Sequence, residues 1–156
     1  MLQFTCLPFH QLSLEQLYTL LARRQEVFSV EQTCYYLDAD GKDQAALHLM
    51  GYDASGNLVA YARLLPKGVA YPDYPSIGRV LTSPSIRRTG AGKELIREAL
   101  QAMETHFGHS SIKIAAQSYL VPFYEEFGFE VAGENFLEDG IPHTPMIRPS
   151  APGHTA

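Results

Sequence analysis

The chain of 156 residues contains no tryptophan and only two cysteines, Cys6 and Cys34. Two cysteines this far apart supply neither the disulfide framework of a small secreted domain nor the paired spacing of a zinc or redox site. No apolar run reaches the roughly 18 residues that a membrane-spanning helix needs. Hydrophobic residues make up 46% of the chain and charged residues 19%, which excludes the composition of a disordered protein. We therefore expect one globular domain over residues 1–148, followed by a loose tail at 149–156.

Basic residues are also scarce, since 12 Lys and Arg stand against 17 Asp and Glu and give a formal net charge of −5. A surface that binds duplex nucleic acid must neutralise phosphates with basic side chains, so we expect no nucleic-acid partner. The first residues lack the basic and apolar regions of a signal peptide. These absences predict a cytoplasmic protein that has no membrane segment and keeps its thiols reduced.

Hydrophobic periodicity predicts an α/β fold with elements in the order β-α-β-β-β-α-β-α-β-β. We expect strands over residues 2–9, 47–52, 58–65, 77–82, 112–116, 129–132 and 143–147. We expect helices over residues 13–28, 89–107 and 122–127. Ser13 and Gln16 have the spacing of a capping box at the start of the first helix, and turn-forming residues at 53–57 predict a hairpin. The exposed sheet edges of such a fold are compatible with a homodimer.

The most specific pattern lies where the predicted strand that ends at Thr82 leads into the long helix. This junction contains Arg87-x-x-Gly90-x-Gly92, followed directly by Lys93. Two glycines at a helix start let an anion approach the backbone amides closely, and the helix dipole favours its negative charge. The pattern therefore predicts a site for a phosphate or pyrophosphate. The alternative is that the glycines only serve a tight strand-to-helix turn.

Two common phosphate-binding motifs do not fit this junction. A Walker A loop requires Gly five residues before Gly92 and Ser or Thr after Lys93, but Arg87 and Glu94 occupy those positions. A dinucleotide fingerprint requires a third glycine where Leu95 stands. The remaining pattern resembles the acetyl-CoA pyrophosphate loop of the GNAT superfamily of N-acetyltransferases.

A second segment carries the same resemblance. Gln117 lies seven residues before Tyr124, and Gly128 and Phe129 follow. This spacing is similar to another GNAT signature, which usually has Asn where this chain has Gln117. The resemblance implies that Gln117 contacts an arm of CoA and that Tyr124 lies near the CoA sulfur, where its hydroxyl acts as a general acid. The alternative is that Tyr124 has no catalytic role and serves only as a buried aromatic side chain that packs against its neighbours.

Further segments follow in the same order as in one branch of that superfamily. They are Arg24-x-x-Val27-Phe28-x-Val30-Glu31-Gln32, Asp40-Gly41-x-Asp43, His48, Gly78-Arg79-Val80, Ala116-Gln117 and Glu138-Asp139-Gly140-Ile141-Pro142-His143-x-x-Met146. Together they look like the ElaA-type branch of GNAT proteins, over residues 2–147. The resemblance implies a GNAT fold, which is an α+β architecture with a mixed, mostly antiparallel, splayed sheet flanked by helices.

The resemblance also implies acetyl-CoA as co-substrate. Its pantetheine would pair with the backbone at residues 80–82 like an added strand, and the amides of residues 88–93 would hold its pyrophosphate. A backbone amide near Leu81 or Thr82 would polarise the thioester carbonyl. The residues implied in cofactor binding are Val80, Leu81, Thr82, Arg87, Arg88, Thr89, Gly90, Ala91, Gly92, Lys93 and Gln117.

The implied reaction moves acetyl to a primary amine, on a small molecule or a peptide, by direct attack and without an acyl-enzyme. The alternative is a non-catalytic module of the same fold that senses CoA or another ligand, because a fold alone does not determine function. An amine with a lysine-like pKa of ~10.4 is unprotonated in only about one molecule in a thousand near pH 7, so catalysis needs a proton acceptor. The candidates are Glu31, His48, Glu138 and His143.

Two acidic segments, at residues 38–43 and 134–139, would suit a cationic acceptor. The first resembles a calcium loop, but Lys42 stands where the EF-hand pattern requires Asp or Asn. We therefore predict a solvated acidic loop there and no metal site in the protein. His143 lies beside Glu138 and Asp139, and a carboxylate–histidine pair is a reasonable proton acceptor, although the same pair would equally stabilise a loop.

Overall fold

A computed structural model describes residues 1–150, so most of the predicted tail lies outside the described part of the chain. Its strands are β1 (Gln3–Pro8), β2 (Leu47–Tyr52), β3 (Leu58–Leu65), β4 (Ser76–Thr82), β5 (Ile112–Gln117), β6 (Glu130–Val131), β7 (Phe136–Glu138) and β8 (Ile141–Arg148). Its α-helices are α1 (Leu14–Arg24), α2 (Ala91–Phe107) and α3 (Val121–Glu125). Apart from β7, each element corresponds to a predicted one.

The first helix begins as predicted and then changes type. The Ser13 side chain accepts a hydrogen bond from the Gln16 amide at 3.0 Å, and the Gln16 side chain accepts one from the Ser13 amide at 2.8 Å. These two bonds form the predicted capping box and satisfy amides of the first turn. After Arg24 the chain continues as a π-helical segment, Gln25–Glu31, where the sequence predicted α-helix to residue 28. Such segments are rare and occur often at functional sites.

The strands form two sheets rather than one. Strands β1 to β4 make an antiparallel sheet in chain order, and β8 pairs with β5 on one side and with β6 and β7 on the other. The sheets meet where the Lys113 amide, near the start of β5, donates to the carbonyl of Pro75, the residue before β4, at 3.1 Å. Beyond that point β4 and β5 belong to separate sheets and leave a cleft. The predicted mostly antiparallel, splayed sheet flanked by helices is therefore confirmed.

Helices cover both faces of the first sheet. On one face, Leu95 and Ile96 of α2 pack against strand residues that include Ala60, and on the other Leu20 of α1 packs against Tyr61. Neighbouring strand residues point to opposite faces, which explains the two clusters. Full burial of a large apolar side chain contributes about 1.5–3 kcal/mol, so these helices stabilise the sheet and leave the cleft open. Among residues 1–150, no helix is long and apolar enough to span a membrane.

Candidate active site

The cleft between β4 and β5 has a volume of about 720 Å³. Strand β4 forms one wall, and β5 with α3 forms the other. The π-helical segment covers part of the cleft through Val27, Phe28 and Glu31. The predicted site residues that line the cleft are Glu31, Val80, Leu81, Thr82, Arg87, Gly92, Gln117, Tyr124, Glu138 and His143.

The free edge of β4 presents one of the two predicted carbonyl-polarising amides. Ser83 donates its N–H to the Val59 carbonyl at 2.8 Å, which makes this a hydrogen-bonded pair of the antiparallel ladder. Because bonded and non-bonded pairs alternate, the Leu81 amide faces β3 and the Thr82 amide faces the cleft. The Thr82 carbonyl points the same way, since it accepts a hydrogen bond from Arg87 at 2.9 Å. Thr82, rather than Leu81, therefore has the geometry to polarise a carbonyl in the cleft.

A bulge in β4 changes the direction of the strand along this wall. Tyr61 pairs with Leu81, but Arg63 pairs with Gly78, so β4 holds one more residue than β3 over this stretch. Arg79 lies within this bulge and has a left-handed backbone, with φ +49°, which is unusual for a residue other than glycine. Bulges of this kind increase the local twist and are frequent beside active sites. Here the bulge lies a few residues after the point where the two sheets meet.

The glycine-rich junction leaves open space at the start of α2. Gly90, with φ +86°, precedes Ala91, so α2 begins two residues later than predicted. A Cβ added to Gly90 would meet no atom of the described residues within 4 Å, and one added to Gly92 would meet the Phe123 ring at 3.8 Å. Packing therefore does not require glycine at position 92, and the open space leaves room for an anion to approach the helix amides.

The other residues of the junction stand around this space without lining the cleft themselves. Arg88 is exposed and has a left-handed backbone, with φ +66°. The Thr89 hydroxyl donates to the Ile86 carbonyl, and Ala91 is buried. Lys93 pairs at 3.2 Å with the exposed carboxylate of Glu126, the residue that follows α3. Of the predicted phosphate-binding side chains, Arg88 is the one with no ion pair among residues 1–150.

Arg87 is committed to contacts within the protein. Its guanidinium donates to the Thr82 carbonyl and makes two hydrogen bonds to the Glu31 carboxylate, one of them 2.8 Å long. The hydrogen bonds from Arg87 hold the pKa of Glu31 below its ordinary value. Glu31 is therefore a weak proton acceptor, and its contact fixes the π-helical segment to the end of β4.

Tyr124 places its hydroxyl in the cleft. Its ring packs edge-on against Phe123 and Phe129, and the residue is 7% exposed. The hydroxyl has no hydrogen-bond partner within residues 1–150, so it is free to contact a bound molecule. Burial, followed by the charge of Tyr119, raises the pKa of Tyr124 to about 12. The side chain therefore stays protonated near neutral pH and is able to donate.

Gln117 connects the β5 wall of the cleft to the segment that covers it. Its amide nitrogen donates to the Gln32 side-chain oxygen at 3.1 Å, next to the π-helical segment. Gln32 also lines the cleft and was not predicted as a site residue. With the Arg87–Glu31 pair, this bond makes a second polar link across the cleft opening.

His143 has the arrangement of a proton acceptor. Its Nδ1 lies 2.8 Å from the Ile141 carbonyl, and Nε2 lies 3.6 Å from a Glu138 carboxylate oxygen. A carbonyl only accepts, so Nδ1 carries the hydrogen and neutral His143 has a free lone pair on Nε2. Glu138 would stabilise the positive charge once Nε2 takes a proton. The ring also stacks on Phe136, with centroids 5.8 Å apart.

His48 lies in the core and not in the cleft. It is fully buried, and its Nε2 donates to the Asp43 carbonyl at 2.9 Å while Nδ1 accepts from the Tyr61 hydroxyl at 2.6 Å. Burial lowers the pKa of His48, which keeps it neutral. Both nitrogens are occupied and the residue does not line the cleft, so we do not retain His48 as a candidate proton acceptor.

The predicted solvated acidic loop is instead a network of ion pairs, so that prediction is wrong. Asp38, Asp40 and Asp43 pair with three arginines from distant elements. The pairs, at 2.7–3.4 Å, are Arg24–Asp38, Arg24–Asp43, Arg63–Asp40, Arg63–Asp43, Arg79–Asp38 and Arg79–Asp40. Three carboxylates thus balance three guanidiniums, and the loop does not supply negative charge to a cationic acceptor.

This network joins α1, the loop at 38–43, β3 and the β4 bulge, and its members Asp40, Arg63 and Arg79 line the cleft. Burial alone would raise the pKa of Asp40, but the hydrogen bonds and charges of Arg63 and Arg79 outweigh it and hold that pKa well below its usual range. The ion pairs to Arg79 also hold the left-handed bulge in place. These contacts could not be predicted from a sequence pattern, because the two residues of each ion pair lie at least 14 positions apart in the chain.

Comparison with known proteins identifies the family to which this architecture belongs. Residues 15–148 match the family model described as an acetyltransferase (GNAT) domain. An acyl-CoA N-acyltransferase from Pseudomonas aeruginosa has a similar structure, with a TM-score of 0.88, 41% identity, and coverage of 95% of this chain and 99% of that one. The chain therefore belongs to the GNAT acetyltransferase family.

Within that family it falls in the ElaA-type branch, as the sequence predicted. It is 39% identical to the Escherichia coli protein ElaA over 150 residues, which cover 95% of this chain and 97% of that protein. The crystal structure of E. coli ElaA has a TM-score of 0.88 to this chain, with 37% identity and coverage of 95% and 99%. A UPF0039 protein of Synechocystis is 45% identical over 139 residues, covering 89% of this chain and 90% of that protein.

Proposed function

We propose that the protein is an N-acetyltransferase that moves acetyl from acetyl-CoA to a primary amine by direct attack. The observation that carries this proposal is that one cleft contains a carbonyl-polarising amide at Thr82, a free hydroxyl at Tyr124 and a free imidazole nitrogen at His143. In acyl transfer to an amine, these groups stabilise the developing oxyanion, protonate the departing sulfur and accept the proton of the amine.

The residues at the start of α2 fit the CoA pyrophosphate. Gly92 lines the cleft, and a side chain there would occupy open space above the helix amides. Those amides and the positive end of the helix dipole would hold the phosphates, with Arg88 nearby. Gln117 would contact the pantetheine or adenosine arm. Acetyl-CoA, once bound, supplies the activated acyl group as a thioester.

His143 Nε2 takes the proton that the amine must lose as its nitrogen forms the new bond to the acetyl carbonyl carbon. Glu138 stabilises the imidazolium that results, because it lies 3.6 Å from Nε2. The Ile141 carbonyl holds the ring in the required tautomer through Nδ1. His143 then returns the proton to solvent.

The Thr82 amide donates to the carbonyl oxygen as negative charge develops there. Tyr124 donates its proton to the sulfur as the carbon–sulfur bond breaks and then regains a proton from solvent, which balances the proton that His143 releases. The products are an N-acetylated amine and CoA thiol. Cys34 is the thiol in the cleft that an acyl-enzyme route would use, but burial, followed by the charges of Asp139 and Glu138, raises its pKa. A protonated thiol is a poor nucleophile, which favours direct attack.

Thiol release from acetyl-CoA across a panel of primary amines tests the proposal. We expect amine-dependent release by the wild type, and Tyr124→Phe should lower turnover roughly tens to a few hundredfold while the acetyl-CoA dissociation constant changes little. Tyr18→Phe, at an exposed tyrosine of α1, is the matched control. CoA binding without release for any amine would indicate a sensing module instead. A larger thermal shift with NAD or ATP than with CoA would contradict the cofactor assignment.

A further inference from the structure

The end of the cleft around the first residues of β4 contains hydrogen-bond donors that lack acceptors. Ser76 is 6% exposed and lines the cleft, and its hydroxyl has no partner within residues 1–150. Nearby, the Arg63 Nε is buried without a partner. Lys42 also lines the cleft, and no ion pair involves it in the described part of the chain. Lys42 is half-buried, whereas donors in buried residues such as Ser76 and Arg63 are costly unless a bound molecule supplies acceptors.

Open space lies directly beside these donors. Gly78 pairs with Arg63 across β3 and β4, so the two residues share a face of the sheet with Ser76, two positions away. A Cβ added to Gly78 would meet no atom of residues 1–150 within 4 Å, and its backbone is not in the left-handed region. Neither packing nor backbone conformation therefore requires glycine at this position. Because Gly78 has no side chain, there is open space in the cleft at this position.

The charges on the two sides of this space have opposite sign. On the side of the first sheet, three aspartates balance three arginines in the network, which leaves Lys42 as an unbalanced positive charge. On the side of the second sheet, Glu138 and Asp139 line the cleft beside His143. A molecule that fits both sides carries an ammonium group toward His143 and an anionic oxygen group toward Ser76.

We infer that the amine acceptor is an amino acid, whose amine lies at His143 and whose carboxylate accepts hydrogen bonds from Ser76 and Lys42 above Gly78. This inference rests on the proposed function, since it names the substrate class for the same cleft. A simple alkylamine or diamine would leave the donors without acceptors. An amino-acid amide would supply an oxygen but not the negative charge that Lys42 favours.

Calorimetry in the presence of CoA tests this inference without relying on turnover. Each standard amino acid is compared with its decarboxylated amine and with its amide, for example lysine with cadaverine and lysinamide. We expect at least one amino acid to bind roughly tenfold or more tightly than its decarboxylated amine, because hydrogen bonds to charged groups are strong. Equal affinities throughout, or tighter binding of the decarboxylated amines, would overturn the inference.

Two variants locate the carboxylate. Ser76→Ala should weaken binding of the preferred amino acid by roughly three- to tenfold, and Gly78→Ala should weaken it at least as much by filling the space. Neither should weaken binding of the decarboxylated amine. Circular dichroism should show both folded, since Ser76→Ala removes only an unpartnered hydroxyl and the Cβ that Gly78→Ala adds suits a strand. Ser55→Ala, in an exposed turn, is the control and should change nothing. Equal losses for both ligands would contradict the assignment.

Acetyl transfer to the same pairs separates the inference from the proposed function. Transfer to amines without any preference for the carboxylate would overturn the inference and leave the proposed function intact. The predicted binding preference with no transfer to any amine would support the amino-acid site and contradict the enzyme. Neither binding preference nor transfer would overturn both.

Discussion

The guanidinium of Arg87 binds the carboxylate of Glu31 across the opening of the cleft with two hydrogen bonds. The same guanidinium donates to the Thr82 carbonyl at 2.9 Å. One side chain thus connects the π-helical segment to the end of β4, where the Thr82 amide faces the cleft. Glu31 is therefore a positioning residue in this account and not the proton acceptor.

Replacing Glu31 distinguishes a positioning role from a role as the proton acceptor. Glu31→Gln should change the free energy of unfolding by less than about 1 kcal/mol, because the pair is largely exposed and screened by solvent. Turnover should fall by less than about tenfold, since removal of a true general base would cost roughly 10²- to 10⁴-fold. Steady-state kinetics and urea unfolding measure both effects. A hundredfold loss of turnover in a stable variant would restore Glu31 as the base.

His143 is expected to show the larger effect. His143→Asn should lower turnover near pH 7 by roughly 10²- to 10⁴-fold and leave the acetyl-CoA dissociation constant unchanged. For an acceptor with a lysine-like pKa of ~10.4, the activity of the variant should rise roughly tenfold per pH unit up to about pH 10, as the free amine becomes abundant. His10→Asn, at an exposed histidine, should behave as wild type. Wild-type turnover in His143→Asn at pH 7 would refute the assignment.

Gly92 tests the phosphate site. Gly92→Val places a side chain in the open space at the start of α2, so acetyl-CoA should bind roughly 10- to 100-fold more weakly for each charge-assisted hydrogen bond that is lost. The fold should survive, since the new Cβ would lie 3.8 Å from Phe123 and valine is a better helix former than glycine. Calorimetry and thermal melting check the two statements. Gln101→Val, farther along α2, is the control for adding valine to this helix, and unchanged affinity in folded Gly92→Val would remove the loop from the cofactor site.

Features set by neighbouring residues could be predicted from the sequence. The capping box of Ser13 and Gln16 depends on a spacing of three residues, and the 53–57 hairpin turn on Asp53, whose carboxylate accepts from the Asn57 amide. The glycine junction could be recognised for the same reason, since Arg87, Gly90 and Gly92 lie close together in the sequence. The family resemblance then supplied the splayed sheet and the place of Tyr124, neither of which local chemistry specifies.

Features set by distant contacts could not be predicted. Arg24 lies 14 residues from Asp38 and 19 from Asp43, so the acidic loop gave no sign that its charges were paired. The residues of β7 are all exposed and therefore lack the alternation that marks a strand. His48 stood on a predicted strand, but which neighbours its ring nitrogens meet depends on the fold around it.

The ion-pair network predicts how stability depends on pH. Burial would raise the pKa of Asp43, but hydrogen bonds and charges from Arg24 and Arg63 lower it below the ordinary value. A carboxyl whose folded-state pKa is depressed stabilises the fold fully above its unfolded pKa of about 4 and loses this contribution as the pH falls further. The protein should therefore lose stability steeply below about pH 4.

Asp43→Asn should remove part of that dependence. At pH 7 it should lower the free energy of unfolding by about 3 kcal/mol, because it leaves buried guanidinium groups with less negative charge. Between pH 5 and pH 3, its stability should fall less than that of the wild type. Urea unfolding at each pH provides the measurement, and Asp73→Asn, at an exposed position, is the control. Equal pH dependence in Asp43→Asn and wild type would show that the network does not carry the effect.

The central claim is that an amine in this cleft takes acetyl directly from acetyl-CoA. Mass spectrometry of a reaction with an accepted amine tests it most directly, with the small-molecule product, the CoA thiol and the intact protein all quantified. We expect one N-acetylated amine for each CoA released, no gain of an acetyl group by the protein when the amine is omitted, and loss of product formation in Gly92→Val at limiting acetyl-CoA. Stoichiometric acetylation of the protein on Cys34, or CoA release without an acetylated amine, would contradict it.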